Sequence, residues 1–391
     1  MQAACDSRCT SGTSAQHSSR MKPVSSIQHE GSLMSAKMAF TTGELRYQQQ
    51  RRHHQACSSI KCEAVANTSA SAKRGNEVLF AAVEVLFKIP PLFNMAVKQA
   101  RSKIAKRGQL IGLDFDREVE SLRSAADWEA ELEAVRDPSL QLPAYYTQPF
   151  HAYSEGNLCW DAALQVDAAA KSVHAQVMDP EGKVLREDGD LQLRRSYSVN
   201  MQRLMQQAEA RPVQDVVDMG CATGLSTLEL RHSFPEASIT ALDLSPHFLA
   251  VARHLQQQRE DRNPSRPEKI RFQHAAAERT GLADSSADLV SICLVMHELP
   301  QQASRAIAQE AFRILRPGGT FAIMEMNPAS DGFQRVFRNP FAYAAFKSTE
   351  PWLIEYMSLD LPGTLHAAGF GSVLQAESTP RHLTIVATKN R

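Results

Sequence analysis

The sequence predicts an α/β protein built on a doubly wound, mainly parallel sheet, with a helical extension ahead of it. Three observations carry that expectation. The apolar run Val216-Val217-Asp218-Met219 stops at Gly220-Cys221-Ala222-Thr223-Gly224 and is followed by a helical stretch, 225–232. A second apolar run, 239–242, ends in Asp243, 19 residues beyond Gly224. From there to the C terminus, apolar runs alternate with helical periods between Gly and Pro punctuation, which is how strands joined by crossover helices read.

Each later element follows from the same pattern. Ile270-Arg271-Phe272 is a third strand leading to Ala275-Ala276-Ala277-Glu278. Asp288-Leu289-Val290-Ser291-Ile292-Cys293-Leu294-Val295 is a buried fourth strand that ends at Met296-His297-Glu298-Leu299-Pro300. A helix over 303–315 closes at Arg316-Pro317-Gly318-Gly319, and 320–324 is the fifth strand with Glu325 at its end. After an insertion, 327–361, come a helix over 363–368 and two strands, 372–376 and 382–388, closing as an antiparallel hairpin. A helix over 196–205 leads into the first strand and sets Tyr197 near the mouth of the sheet. In the first turn, Gly220 allows a sharp reversal, Ala222 leaves room beside the main chain, and Gly224 opens a helix. Asp243 can accept from two vicinal hydroxyls, so the parts describe a nucleoside pocket. The spacing G-x-x-x-G differs from the G-x-G-x-x-G of a pyrophosphate-binding turn.

In this order, over 212–391, the motifs resemble the class I S-adenosylmethionine (SAM)-dependent methyltransferases, in particular the methyltransferase type 11 and ubiquinone/menaquinone-type group. The resemblance implies a seven-stranded Rossmann-like sheet, SAM as cofactor and a small-molecule acceptor. Carried over by position, it places Asp218, Gly220, Ala222 and Gly224 at the methionine moiety, Asp243 at the ribose and Leu244 at an adenine face. Leu294 joins that wall, and Ala276 and Ala277 meet the adenine amine. Many relatives carry Asp or Asn where Ala276 stands, so that contact falls to the Ala277 N–H alone or to Glu278. His297, at the end of the fourth strand, is the expected base, with Glu298 either orienting its ring or simply opening the next helix. Glu325 is expected to face the acceptor.

The acceptor side is expected in two aromatic stretches. The insertion carries Phe333, Phe337, Phe341, Tyr343, Phe346, Trp352 and Tyr356, and relatives of this type build lids there. That composition implies a lipophilic or aromatic acceptor methylated on oxygen or carbon; a cap packed on itself is the competing reading. Upstream, 142–160 holds His151, Tyr153, Glu155 and Trp160 as pocket candidates. Alternatively Phe150 and Trp160 only staple this segment to the core. Asp161 is placed to cap the helix 161–174.

Composition bounds the rest. With 43 basic and 43 acidic residues among 391, no global field selects nucleic acid. The seven cysteines form no C-x-x-C pair, and no metal-ligating spacing is present. No 18-residue apolar run exists, so no transmembrane helix is expected. Residues 1–62 are basic, Ser-rich and acid-poor, resembling a plastid transit peptide ending near Ile60-Lys61-Cys62, with the mitochondrion as the rival address. Residues 63–140 form an N-terminal helical extension and 141–211 an aromatic, helical lead-in. Within the extension an apolar stretch, 77–87, a basic helix, 92–107, and an acidic surface helix, 116–135, are expected. Stretch 77–107 suits either peripheral membrane contact or a helical cap. A protein or RNA methyltransferase, and a SAM-binding regulatory or assembly protein without turnover, are the competing functions.

Overall fold

The computed structural model describes residues 89–391 apart from 152, 266, 267, 340, 341, 344, 345, 347 and 348. Segment 1–62, the stretch 77–87 and Phe341 lie outside the described residues. The strands are Asp215–Met219 (β1), Ser238–Asp243 (β2), Ile270–His274 (β3), Ala287–Cys293 (β4), Leu315–Met326 (β5), Ser372–Thr379 (β6) and His382–Thr388 (β7). They form one seven-stranded sheet in the order β3-β2-β1-β4-β5-β7-β6. All pairings are parallel except those of β7, which runs antiparallel to β5 and β6. The described helices are Pro90–Leu110 (α1), Phe115–Arg123 (α2), Trp128–Val135 (α3), Trp160–His174 (α4), Gly189–Gln207 (α5), Leu225–Ser233 (α6), Pro246–Arg262 (α7), Gln301–Ile314 (α8), Asp331–Phe337 (α9), Leu353–Met357 (α10) and Leu361–Ala367 (α11).

Successive strand residues point to opposite faces, and here both faces are covered. Val217, Met219, Val290, Ile292 and Phe321 pack with Ile307, Ala308 and Ala311 of α8 and Leu365 of α11. Val216, Ile239, Leu289, Ala322 and Met324 pack with Leu193, Tyr197 and Met201 of α5 and Leu230 of α6. A strand buried on both sides loses its polar alternation, which is why β4 reads as one apolar run. Between β1 and β4 the order of strand addition reverses, and the crevice beyond their carboxyl ends lies open there.

Several local expectations shift. The helix expected at 196–205 runs the length of α5, because nothing between Gly189 and Arg195 breaks it. The single acidic helix 116–135 is two: Asp114 and Asp127 each accept a backbone N–H, from Arg117 and Ala130, and so start α2 and α3 separately. Nor is it a purely surface feature, since Trp128 and Leu132 are buried. Asp161 does not cap α4. That helix starts at Trp160 behind Cys159, which makes no side-chain cap bond, and Asp161 pairs with Arg123 at 2.7 Å. β5 begins at Leu315, earlier than the turn composition suggested, and Glu325 is its penultimate residue.

The N-terminal helices dock onto this frame. α1 packs along α4, and Arg107 donates to the Val173 carbonyl at 3.4 Å. Gly108 makes the approach possible, since a Cβ there would sit 2.9 Å from Ser172 Oγ. α5 is tied back to α4 by Asp190, which accepts from Arg194 at 2.9 Å and meets His174 Nδ1 at 2.7 Å. Burial opposes the Asp190 charge, but Arg194 and His174 outweigh it and hold the carboxyl well below the usual carboxylate range.

Asp190→Asn would strip the Arg194 guanidinium, 12% exposed, of this counter-charge. Breaking such a pair costs about 3–5 kcal/mol. The folded pKa lies below the unfolded value of about 3.9, so the stabilisation is complete above roughly that pH and is lost as pH falls through the folded pKa. Urea unfolding of both proteins should show a gap at neutral pH that closes in acid; a constant gap would refute the assignment.

Candidate functional site

The site grows from the turn between β1 and α6. Gly220, Ala222 and Gly224 have φ of 69°, 45° and 92°, three left-handed residues within five. Gly220 also needs to lack a side chain, since a Cβ there would lie 2.7 Å from Val295. The turn is held by β2: the N–H groups of Gly220 and Cys221 donate to the Leu242 carbonyl at 2.8 and 3.0 Å, and Ala222 N–H donates to Asp243 Oδ2 at 2.9 Å. Asp243 Oδ1 accepts from Ser245 N–H at 2.7 Å and from Tyr146 Oη at 3.3 Å. Burial lifts the Asp243 carboxyl above its ordinary value, against the pull of the Ser245 and Ala222 N–H groups.

Asp218 sits beneath the turn, fully buried, and is off the cavity wall. Its Oδ2 accepts from Ser226 and Thr227 at 2.9 and 2.7 Å, which staples β1 to the start of α6. Burial raises its pKa to about 6. The expected direct contact with a ligand is replaced by this organising role, because the side chain turns to the first turn of α6 rather than to the cavity.

Above the strand ends lies a cavity of about 1620 Å³, lined mainly by apolar side chains. Gly220, Cys221, Ala222, Asp243, Leu244, Ala277 and Leu294 form one part of its wall. Gly224 and Ala276 are absent from the wall: Gly224 faces Phe272, and Ala276 pairs with Arg279 in a local bridge. Glu278 does reach the cavity, where Tyr145 Oη donates to its Oε1 and its Oε2 has no partner among the described residues.

The other part of the wall holds His297, Glu298, His151, Phe333, Phe337, Phe346, Glu350 and Trp352. His297 lies in a 3₁₀ turn after β4, and its Nδ1 meets Glu325 Oε2 at 2.9 Å. Glu325 is fully buried and also accepts from the backbone of His297 and Met326. Two expectations change here. Glu325 orients the ring rather than facing an acceptor, because its place at the end of β5, beside β4, puts its carboxylate against His297 Nδ1 and off the cavity wall. Glu298 is instead 4.0 Å from Nε2, on the cavity side. Burial opposes an imidazolium at His297, but Glu325 overrides it, with help from Glu350 and Glu298, and lifts the pKa to about 10. Such a ring holds a proton on both nitrogens near neutral pH, so it can act as a base only after giving one of them up.

Phe333 and Phe337 stack at 4.4 Å within α9, so this part of the insertion both packs on itself and faces the cavity. Tyr153 reaches the wall and donates to Gln165 at 2.8 Å, with the Arg101 guanidinium 4.8 Å from its ring centre. Trp160 does not reach it. Its ring packs on Trp128 and His247, at 5.6 and 4.7 Å, and its Nε1 donates to Glu129, so it staples α3 and α7 to α4. Glu155 is exposed and bonds Ser154. Sequence reasoning passed over Tyr145, Tyr146, Arg194 and Glu350. The two tyrosines stood inside the aromatic cluster, and Glu350 carried no motif at all.

A family model described as a methyltransferase domain matches residues 216–319. The chain is 38% identical over 110 residues to malonyl-[acyl-carrier protein] O-methyltransferase of Hahella chejuensis, covering 27% of this chain and 34% of that protein. It is 27% identical over 161 residues to an uncharacterized methyltransferase of Synechocystis sp., covering 41% and 68%. It is 30% identical over 147 residues to the ubiquinone/menaquinone biosynthesis C-methyltransferase of Methylobacterium nodulans, covering 37% and 55%. The chain thus spans about a third of the length of the first of these relatives. The strand order, the left-handed turn after β1 and these matches together identify the chain as carrying a class I S-adenosylmethionine-dependent methyltransferase domain.

Proposed function

We propose that this protein transfers a methyl group from SAM to oxygen or carbon of a small, lipophilic or aromatic acceptor. The observation that carries the reading is a single cavity joining the Asp243 end of β2 to the His297–Glu325 pair beyond β4 and β5. The residues fit SAM. Asp243 has a weak contact, the 3.3 Å bond from Tyr146, that a ribose hydroxyl can replace, and Glu278 has a free buried oxygen for an amine. Gly220, Cys221 and Ala222 would hold the methionine end, Leu244, Leu294 and Ala277 the adenine. SAM, when bound, would supply an electrophilic methyl on a sulfonium, which the acceptor would attack in line with the C–S bond while the neutral thioether leaves.

The chain's own contribution is alignment, exclusion of water and custody of a proton. Alignment of reactants provides most of the gain in such a displacement. Phe333, Phe337 and Trp352 line the acceptor side and exclude water. His297, steadied through Nδ1, can take the acceptor's acidic hydrogen at Nε2 in its neutral form, whose share grows as pH rises toward about 10. Two of the similar proteins are named for O-methylation and C-methylation, the two chemistries proposed for this arrangement. A plastid address for segment 1–62, and membrane contact by α1 through Lys98, Lys103 and Lys106, accompany the proposal; a fusion of 1–70 to a fluorescent protein that stayed cytosolic would refute the address.

The decisive experiment incubates the purified protein with labelled SAM and an organellar metabolite extract. A labelled small molecule supports the reading, and SAM binding without product supports a regulatory binder instead.

Asp243→Asn keeps a side-chain oxygen for the turn but removes the charged acceptor, worth about 1.5–3 kcal/mol, so SAM affinity by calorimetry should fall about 10- to 100-fold, with circular dichroism and thermal unfolding checking that the fold is kept. Unchanged affinity would refute the ribose assignment.

His297→Ala should lower turnover by about 10²–10⁴ while SAM affinity stays within about threefold. Loss of both would make His297 structural, and a small turnover change would leave alignment as the sole contribution.

A further inference from the structure

Beside the His297–Glu325 pair, three chain segments far apart in sequence deliver donor atoms to one place. His151 comes from the loop before α4, Glu298 from the turn after β4, and Glu350 from the segment before α10. One donor atom of each lies within 4.8 Å of the others. His151 Nε2 is 2.9 Å from Glu350 Oε1 and 3.7 Å from Glu298 Oε1. Ligands bound at about 2.0–2.2 Å to one ion sit roughly 3.0–3.6 Å apart, so these spacings need little contraction.

One further observation points to a ligand. The Glu350 side chain is 9% exposed, and its Oε2 has no hydrogen-bond partner among the described residues. A buried carboxylate oxygen without a donor is costly, and no lysine or arginine pairs with Glu298 or Glu350 among the described residues. His151 meanwhile has φ of 48°, a left-handed backbone that a histidine adopts at a cost of order 1–3 kcal/mol. A bond from His151 N–H to the Thr349 carbonyl, 3.0 Å, holds that conformation and aims the ring at the two carboxylates.

We propose that His151, Glu298 and Glu350 bind one divalent transition cation of the Mn²⁺ or Zn²⁺ type at the acceptor end of the cavity. One imidazole and two carboxylates neutralise a dication, and the nitrogen donor favours these ions over Mg²⁺ and Ca²⁺. Three protein ligands leave coordination positions open, and all three residues line the cavity, so those positions face the acceptor space. The ion also joins the upstream loop to the segment before α10, ordering both walls of that space. The site itself stands independently of the methyl-transfer reading.

The test uses the full chain, freed of purification tags and stripped with a chelator, without SAM or acceptor. Titration with MnCl₂ followed by electron paramagnetic resonance, and with ZnCl₂ by calorimetry, should show one stoichiometric site, with MgCl₂ binding much more weakly. His151→Ala and Glu350→Gln should weaken Mn²⁺ binding about 100-fold or more, while SAM affinity stays at the wild-type value and certifies the fold. Should either variant fail to fold, Glu298→Gln provides the same reading. No stoichiometric site in the wild-type chain, or folded variants that bind as tightly, would overturn the proposal. Absence of labelled product in the SAM assay would instead count against the proposed function and leave the metal result standing.

Discussion

The structure depends most on the Asp243 carboxylate and the turn it holds. Of the three left-handed residues in this turn, Gly220 and Gly224 adopt the conformation freely, but Ala222 does so only with outside support. The turn is held because Leu242 and Asp243 accept the N–H groups of Gly220, Cys221 and Ala222. The same carboxylate accepts Ser245 N–H, and the Ser245 hydroxyl in turn accepts from Phe248 N–H at the start of α7. One buried acid thereby sets the entry to α6, the entry to α7 and the floor of the cavity between them. Its burial is tolerable because each of its oxygens accepts from a fixed backbone donor, Oδ2 from Ala222 N–H and Oδ1 from Ser245 N–H.

A second constraint works at the opposite side of the cavity. Buried or half-buried acids, Glu298, Glu325 and Glu350, gather around two imidazoles and repel one another unless cations intervene. His297 resolves the deepest of them, since Glu325 takes both its Nδ1 and its backbone N–H. That leaves Glu298 and Glu350 to share His151. Burial raises the Glu298 pKa to about 7 although both histidines pull it down. Concentrated negative charge in a place of restricted water is an expensive arrangement, kept where chemistry or a cation uses it.

Much of the fold was legible because its signals are local. Glycine at a left-handed position, an acid at a strand end, and apolar runs on a doubly covered sheet each leave a mark within a few residues. Trp160 shows where that reading stops. An aromatic at the edge of a cavity and one packed against Trp128 and His247 look identical in sequence, and only the path of α3 and α7 separates them. Glu298 and Glu325 teach the same lesson. Orienting His297 was one of two readings for its sequence neighbour Glu298, yet the adjacent strand brings Glu325 closer, since parallel pairing of β4 with β5 aligns Cys293 with Met324.

By itself the sequence determined the doubly wound class, the order of the motifs, the turn at Gly220 to Gly224 and the acid at the end of β2, because short-range sterics and strand periodicity dictate them. The tertiary structure alone decided which carboxylate steadies His297, that Asp218 organises the turn from below, and that residues 151, 298 and 350 meet. These are contacts between segments with no shared periodicity. Their geometry is set by how the lead-in and the insertion close over the sheet, and spacing along the chain carries no record of that closure.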